Sequence, residues 1–167
     1  MEEPDRRRVR VREAVRGDAS KLADLNAVVQ ALHHQAYPEL FKTPALEAST
    51  LQFATLLAEP AVTVLLAEVN GHASGYSYVE LVDRPETAFT HAHSHLYVHH
   101  LAVASEAQGS GVGSALLDAV KALARREGVR DVRLDYWSFN QRAAGFFTSQ
   151  GFAPYNVKAR AELPDPR

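Results

Sequence analysis

Residues 108–114 read Gln-Gly-Ser-Gly-Val-Gly-Ser and run directly into an amphipathic helical stretch; no other segment restricts the chain so much. Glycines at a helix start cost up to about 1 kcal/mol each against alanine, so helix stability alone does not place three of them there. A backbone without Cβ atoms lets a ligand come close. The first N–H groups of a helix lack internal partners and lie at the positive end of its dipole. A diphosphate there can accept several charge-assisted hydrogen bonds, each worth about 1.5–3 kcal/mol. The order is a strand over Leu96–Val103, a short loop, the glycines, and a helix over Gly111–Glu127 with Val112, Leu116, Val120 and Leu123 on one face. That order predicts an anion site.

Two other phosphate motifs compete for the segment. A Walker A loop requires Lys followed by Ser or Thr after its last glycine, and here Gly113 is followed by Ser114-Ala115. A dinucleotide fingerprint is closer, since Ser114 stands where its third glycine belongs and Asp135 lies about 20 residues on. Against it, the glycines begin beyond the strand instead of at its edge, and the preceding half of the chain does not read as a βα unit. A dinucleotide-binding protein remains an alternative for this segment.

That preceding half has its own order. Val9 and Val11 alternate with Arg8, Arg10 and Arg12, the period of a strand whose arginines face solvent. Asp18 precedes Leu22, Leu25, Val29 and Leu32, an N-cap and apolar stripe predicting a helix to about Gln35. Thr43-Pro44 starts a second helix, which ends near Pro60. Val62–Val69 and Ser74–Val82 flank Asn70-Gly71, the dipeptide of a type I′ hairpin turn. Arg84–Ser94 reads as a polar loop. After the glycine helix, stopped by Gly128, come a strand over Val129–Tyr136, a short helix over Asn140–Gln150 closed by Gly151, and a last strand over Phe152–Ala161.

Composition narrows the function. A chain of 167 residues, 46% apolar, predicts one domain spanning residues 1–167. Eighteen basic against twenty acidic residues give a net charge of −2, which provides no field for holding a nucleic-acid backbone. With no cysteine there is no disulfide, thiolate metal site or cysteine acyl-enzyme, and a cytoplasmic protein is expected. The N-terminus has charge but no apolar signal core, and no apolar run reaches membrane-spanning length. A protein neither exported nor membrane-embedded is expected; a homodimer is compatible.

Gln108-Gly109-Ser110-Gly111-Val112-Gly113 resembles the Q/R-x-x-G-x-G/A signature of the GNAT N-acetyltransferase superfamily, and Leu101-Ala102-Val103 resembles its usual strand end. Asn140, Ala143, Phe146-Phe147 and Gly151-Phe152 are similar to the family's second segment, N-x-x-A-x-x-F-Y-x-x-x-G-F. The resemblance implies an α/β fold with a mixed, mostly antiparallel central sheet, splayed between its fourth and fifth strands and flanked by about four helices. It implies acetyl transfer from acetyl-CoA to an amine. By the same resemblance, Leu101, Ala102 and Val103 meet the pantetheine arm, with the backbone of Leu101 and Val103 pairing with it. Gln108, Gly109, Ser110, Gly111, Val112, Gly113 and Ser114 bind the pyrophosphate, and Asn140 contacts the CoA arm, although Asn140 also reads as a plain helix cap. Tyr37, Phe41 and Trp137 are placed on the acceptor side, where each aromatic also reads as core. The chain departs from the pattern at Phe147, beside the CoA sulfur, where the family's usual tyrosine would donate a proton.

The chemistry asks for proton transfer. An alkylamine with a pKa near 10.4 is free base about once in 2,500 molecules at pH 7, a deficit of about 4–5 kcal/mol, so a base is useful. His99 and His100 precede the Leu101-Ala102-Val103 strand end where many family members carry a carboxylate, and imidazole titrates near neutrality. Alternation sends them to opposite faces unless a bulge intervenes, so one is expected to be the base. Without cysteine, direct attack in a ternary complex is preferred, and a serine ester stays open. His91, His93, His95 and His99 would share one face of an extended chain and could approach zinc. With no carboxylate or thiolate among them, no metal is expected. A catalytically weak CoA-binding module is the alternative to an enzyme.

Overall fold

The computed structural model describes residues 9–164. The chain divides into two compact units, Met1–Asp135 and Tyr136–Arg167. The basic residues Arg6–Arg8 and the N-terminus read for a signal sequence lie outside the described residues.

The larger unit is built on a five-stranded sheet in the order β1-β2-β3-β4-β5. Its strands are β1 (Val9–Glu13), β2 (Val62–Val69), β3 (His72–Arg84), β4 (His93–Val103) and β5 (Val132–Leu134). The first three junctions are antiparallel and β4–β5 is parallel, the mixed sheet expected. Helices α1 (Ala19–Ala36), α2 (Leu46–Leu56) and α3 (Val112–Arg126) complete the unit. At the β2–β3 turn Asn70 and Gly71 both take left-handed backbone, φ +52° and +81°, as the type I′ reading requires.

Both faces of the sheet are covered, so Val64, Leu65, Leu66 and Ala67 are all buried without alternation. On one face Tyr76 meets α1 and α2 through Asn26 and Phe53. On the other, α3 buries Val112, Leu116, Val120 and Leu123, each worth roughly 1.5–3 kcal/mol. The approach is close at Gly75, where a Cβ would stand 2.8 Å from both the Ala102 carbonyl oxygen and Val112 Cγ1. A side chain there would push α3 off the sheet.

Several expectations are corrected. Arg12 is no solvated strand arginine: its guanidinium bridges Asp18 at 2.7 Å and Glu68 at 2.8 Å. Asp18 does not cap α1 with its side chain; its buried carboxylate accepts the Val15 N–H at 3.0 Å, and a 3-10 turn over Arg16–Asp18 leads into the helix. Pro44 precedes the α2 N-cap, Ala45, instead of sitting in the first turn. The polar loop expected to reach Ser94 ends earlier, because β4 begins at His93 and pairs with Arg84. The fifth strand is shorter than expected, Val132–Leu134.

The unit Tyr136–Arg167 contains α4 (Gln141–Ser149). Its ring cluster joins Phe147 to Tyr136, Phe146 and Phe152 at centroid distances of 5.8, 5.5 and 6.0 Å. No strand forms over Phe152–Ala161, which lacks regular structure, and Tyr155 and Val157 are exposed there.

Candidate active site

A 3-10 turn, Ser105–Ala107, ends β4's exit and delivers the chain to Gln108. Gly109 and Gly111 then adopt φ of +78° and +86°, with Gly111 the N-cap of α3. No heavy atom lies within 4 Å of a Cβ built on either glycine, so the space over this backbone is open. The first α3 bond runs from Ala115 N–H to the Gly111 carbonyl at 3.0 Å, and the N–H groups of Val112 and Gly113 precede it at the positive end of the dipole. Ser110 is tied down by its backbone N–H and its hydroxyl, both donating to the Ala107 carbonyl, at 3.3 and 2.5 Å. An anion fits such a cradle: open space, left-handed glycines and helix-start donors coincide.

Beside it, β4 outruns β5. The last parallel pair is Val98 with Leu134, and β4 continues to Val103. The Ala104 N–H donates to the Ser74 carbonyl at 2.9 Å, and Gly75–Val103, Tyr76–Ala102 and Ser77–Leu101 follow in register. Hydrogen-bonded and non-hydrogen-bonded pairs alternate in antiparallel sheet, so Leu101 and Val103 turn their backbone polar groups away from β3, toward the edge where β5 has ended. The Val103 carbonyl accepts the Gln108 side-chain amide there at 3.2 Å. Ala102 faces inward and is buried.

The two histidines sit at an irregularity. Tyr78 pairs with His100 and Val79 with Val98, so His99 is the extra residue of a β-bulge on β4. The bulge defeats alternation and brings both rings to one face, where the Tyr78 ring stacks on His99 at 4.6 Å and meets His100 edge-on at 5.3 Å. Their surroundings differ. His100 packs against Phe53 and Tyr76, and its Nδ1 lies 3.0 Å from the Tyr76 hydroxyl, which accepts Asn26 Nδ2–H at 2.8 Å. Burial, with help from His99 and from His33 on α1, pushes the His100 imidazole down to about 4. His100 is an exposed residue overall, with its ring packed edge-on against Phe53, Tyr76 and Tyr78. His99 instead donates Nε2–H to Glu80 Oε2 at 2.6 Å in a partly exposed pair.

On the same side of the chain, Tyr37 and Phe41 form the turn after α1. Phe41 stacks on His33 at 4.9 Å, and its carbonyl lies 2.6 Å from His34 Nδ1. Burial lowers the His33 pKa. His91, His93 and His95 do not gather as ligands: His95 is buried, His91 and His93 are exposed, and among the described residues no group of three or more His, Cys, Asp or Glu could hold a metal ion. In the smaller unit, Asn140 caps α4, its Oδ1 accepting the Ala143 N–H at 3.0 Å, and Trp137 is half-buried just before it. Phe147 is buried in the ring cluster.

Four polar residues escaped the sequence reading. Tyr76, Tyr78 and Glu80 alternate along β3, so their common face was readable from period two, but their meeting with the histidines depends on the bulge. Asn26 sat unnoticed within the apolar stripe of α1.

The sequence profile described as Acetyltransferase (GNAT) family matches residues 26–152. No curated protein sequence matches significantly. Among solved structures, a tetramutant of the BH1408 protein from Bacillus halodurans superposes with a TM-score of 0.86 at 24% identity, covering 92% of this chain and 99% of that one. An aminoglycoside acetyltransferase from an uncultured soil metagenomic sample gives 0.69 at 19% identity, covering 97% and 100%. The aminoglycoside N-acetyltransferase AAC(6')-Iy, solved with CoA, gives 0.74 at 14% identity, covering 97% and 99%. Among the described residues no helix is long and apolar enough to cross a membrane. With the family profile matching most of its length, and with a glycine cradle beside an outrun strand edge, the chain belongs to the GNAT acetyltransferase family.

Proposed function

We propose that the protein is a cytoplasmic N-acetyltransferase that moves an acetyl group from acetyl-CoA to the amine of a small molecule or peptide in a ternary complex. The observation that carries this reading is the open cradle at Gly109 and Gly111, continuous along the chain with the outward backbone of Leu101 and Val103. Family membership supports it, as do structural relatives described as acetyltransferases, one of them solved with CoA.

Residues Gln108–Ser114 hold the pyrophosphate through backbone N–H groups, and Leu101 and Val103 pair with the pantetheine amides. The bound thioester supplies an electrophilic carbonyl carbon and a thiolate leaving group. One histidine of the bulge takes the proton lost by the amine as its nitrogen bonds to that carbon. The C–S bond breaks with its electrons on sulfur. Phe147 has no proton to give the sulfur, so the thiolate leaves without acid assistance from this position. Tyr37 and Phe41 lie on the acceptor side. A CoA-binding module without turnover is the second reading, favoured by that phenylalanine.

The test is a thermal-shift comparison followed by an amine screen. CoA and acetyl-CoA raise the melting temperature by linkage, and NAD and NADP at equal concentration do not. The reverse ranking would favour the dinucleotide reading; tight CoA binding with no amine acetylated would favour the module.

A further inference from the structure

We propose that Glu80 is a positioning residue for acetyl transfer: its carboxylate fixes the His99 ring proton on Nε2 and leaves Nδ1 as the atom that receives the proton of the attacking amine. The inference rests on the acetyl-transfer reading above and deepens it by choosing between the two histidines.

The choice follows from hydrogen-bond chemistry. An ionised carboxylate only accepts, so the 2.6 Å contact between Glu80 Oε2 and His99 Nε2 puts the proton on Nε2 and the free lone pair on Nδ1. The ring is also held in orientation. Tyr78 stacks on it at 4.6 Å with 18° between planes, and Tyr97 leans on it at 4.9 Å and 60°. Tyr97 is itself anchored, donating its hydroxyl to Asp135 Oδ2 at 2.5 Å. His99 is the bulged residue, displaced from the regular ladder toward the Tyr78 and Glu80 side of β3. The titratable groups facing it are Glu80 and Tyr78 from β3, and Tyr97 and His100 from β4.

His100 is arranged for a different task. The Tyr76 hydroxyl accepts Asn26 Nδ2–H at 2.8 Å and is hydrogen-bonded to His100 Nδ1 at 3.0 Å. Nδ1 is engaged by that hydroxyl, and burial lowers the pKa of this ring to about 4, which makes it a poor base at neutral pH. In the transfer step the amine nitrogen bonds to the thioester carbon, its proton passes to His99 Nδ1, and the sulfur departs with the C–S electrons. The imidazolium, its charge balanced by Glu80, then returns the proton to solvent.

Two substitutions separate orientation from charge. Glu80→Gln keeps an oxygen that accepts Nε2–H but removes the charge; Glu80→Leu removes both. The readouts are the 15N shifts of the His99 ring, assigned by their loss in His99→Asn, and the separate kcat and KM values for acetyl-CoA and amine. The wild type should show the Nε2–H tautomer. Glu80→Gln should keep that tautomer with kcat down about 10-fold, and Glu80→Leu should lose it with kcat down about 100-fold, acetyl-CoA KM staying within about twofold. A Glu80→Leu protein with unchanged tautomer and kcat would overturn the proposal. So would a fall in kcat matched by an equal rise in acetyl-CoA KM. If the wild type acetylates no amine, the acetyl-transfer reading fails, and the ring signature alone decides whether Glu80 orients His99.

Discussion

Gly111→Ala tests the cradle, and Gly128→Ala is its matched control. Gly111 opens α3 at φ +86° and Gly128 follows its end at φ +70°; neither has an atom within 4 Å of an added Cβ. The conformational cost of alanine should therefore be alike at both. Left-handed backbone costs an L-residue about 1–2 kcal/mol. Stiffening the unfolded chain returns about 0.4–1 kcal/mol. The net loss is roughly 0.5–1.5 kcal/mol, a fall in Tm of about 1–6 °C for a chain of this size. Ligand binding separates the two sites. At Gly111 the methyl group projects into the open space over the helix-start N–H groups, and losing one charge-assisted phosphate bond costs about 1.5–3 kcal/mol, a roughly 10- to 150-fold weaker Kd. At Gly128 nothing should happen to CoA. Calorimetric titration with CoA, beside thermal melts of both variants, measures this. Equal CoA affinity in the two variants would refute the cradle. Gly111→Asp is a poorer probe than the motif alone suggests, because the positive φ makes any side chain there a folding perturbation as well.

Three further outcomes follow from the surroundings of named groups. Below pH 6.5 the unfolded state protonates His100 while the folded state resists until about 4, so stability should fall as pH drops through that window and His100→Asn should flatten the slope, read from urea melts at stepped pH. Asp18 is held well below the usual carboxylate range, chiefly by its hydrogen bond to Arg12; its contribution is complete above about pH 4 and is lost in stronger acid, and Arg12→Met should cost about 2–4 kcal/mol at pH 7 by stranding a buried carboxylate. Removing the Tyr76 hydroxyl in Tyr76→Phe should cost about 1–3 kcal/mol, since it strands both Asn26 Nδ2 and His100 Nδ1, and a loss below about 0.5 kcal/mol in denaturant melts would show that the chain of bonds does not form.

Local chemistry was legible in the sequence wherever one residue type answers one backbone demand. Asn70-Gly71 specified its turn because two consecutive positive φ values suit few residues, and the glycines of 109–111 specified an open helix start for the same reason. The apolar stripe of α3 survived because its buried face is continuous. What failed depended on partners distant in the chain. The bulge at His99 is one extra residue against Tyr78 and Val79 and leaves no mark in composition. Glu80 and His99 meet only through that register. The Phe152–Ala161 segment has the alternation of a strand, yet it forms no regular structure, and Pro154 within it removes a backbone donor. Arg12 looked solvated because the acids that claim it, Asp18 and Glu68, come from a turn and from the neighbouring strand.

The central claim is acetyl transfer to an amine, and amine-dependent release of free CoA thiol, paired with mass spectrometry of the amine, tests it most directly. The account predicts thiol release that requires both acetyl-CoA and an amine from the panel, one acetyl group gained per thiol released, and loss of about 100-fold in rate in His99→Ala with CoA affinity retained. Thiol release at the same rate without any amine, or full activity in His99→Ala, would contradict it.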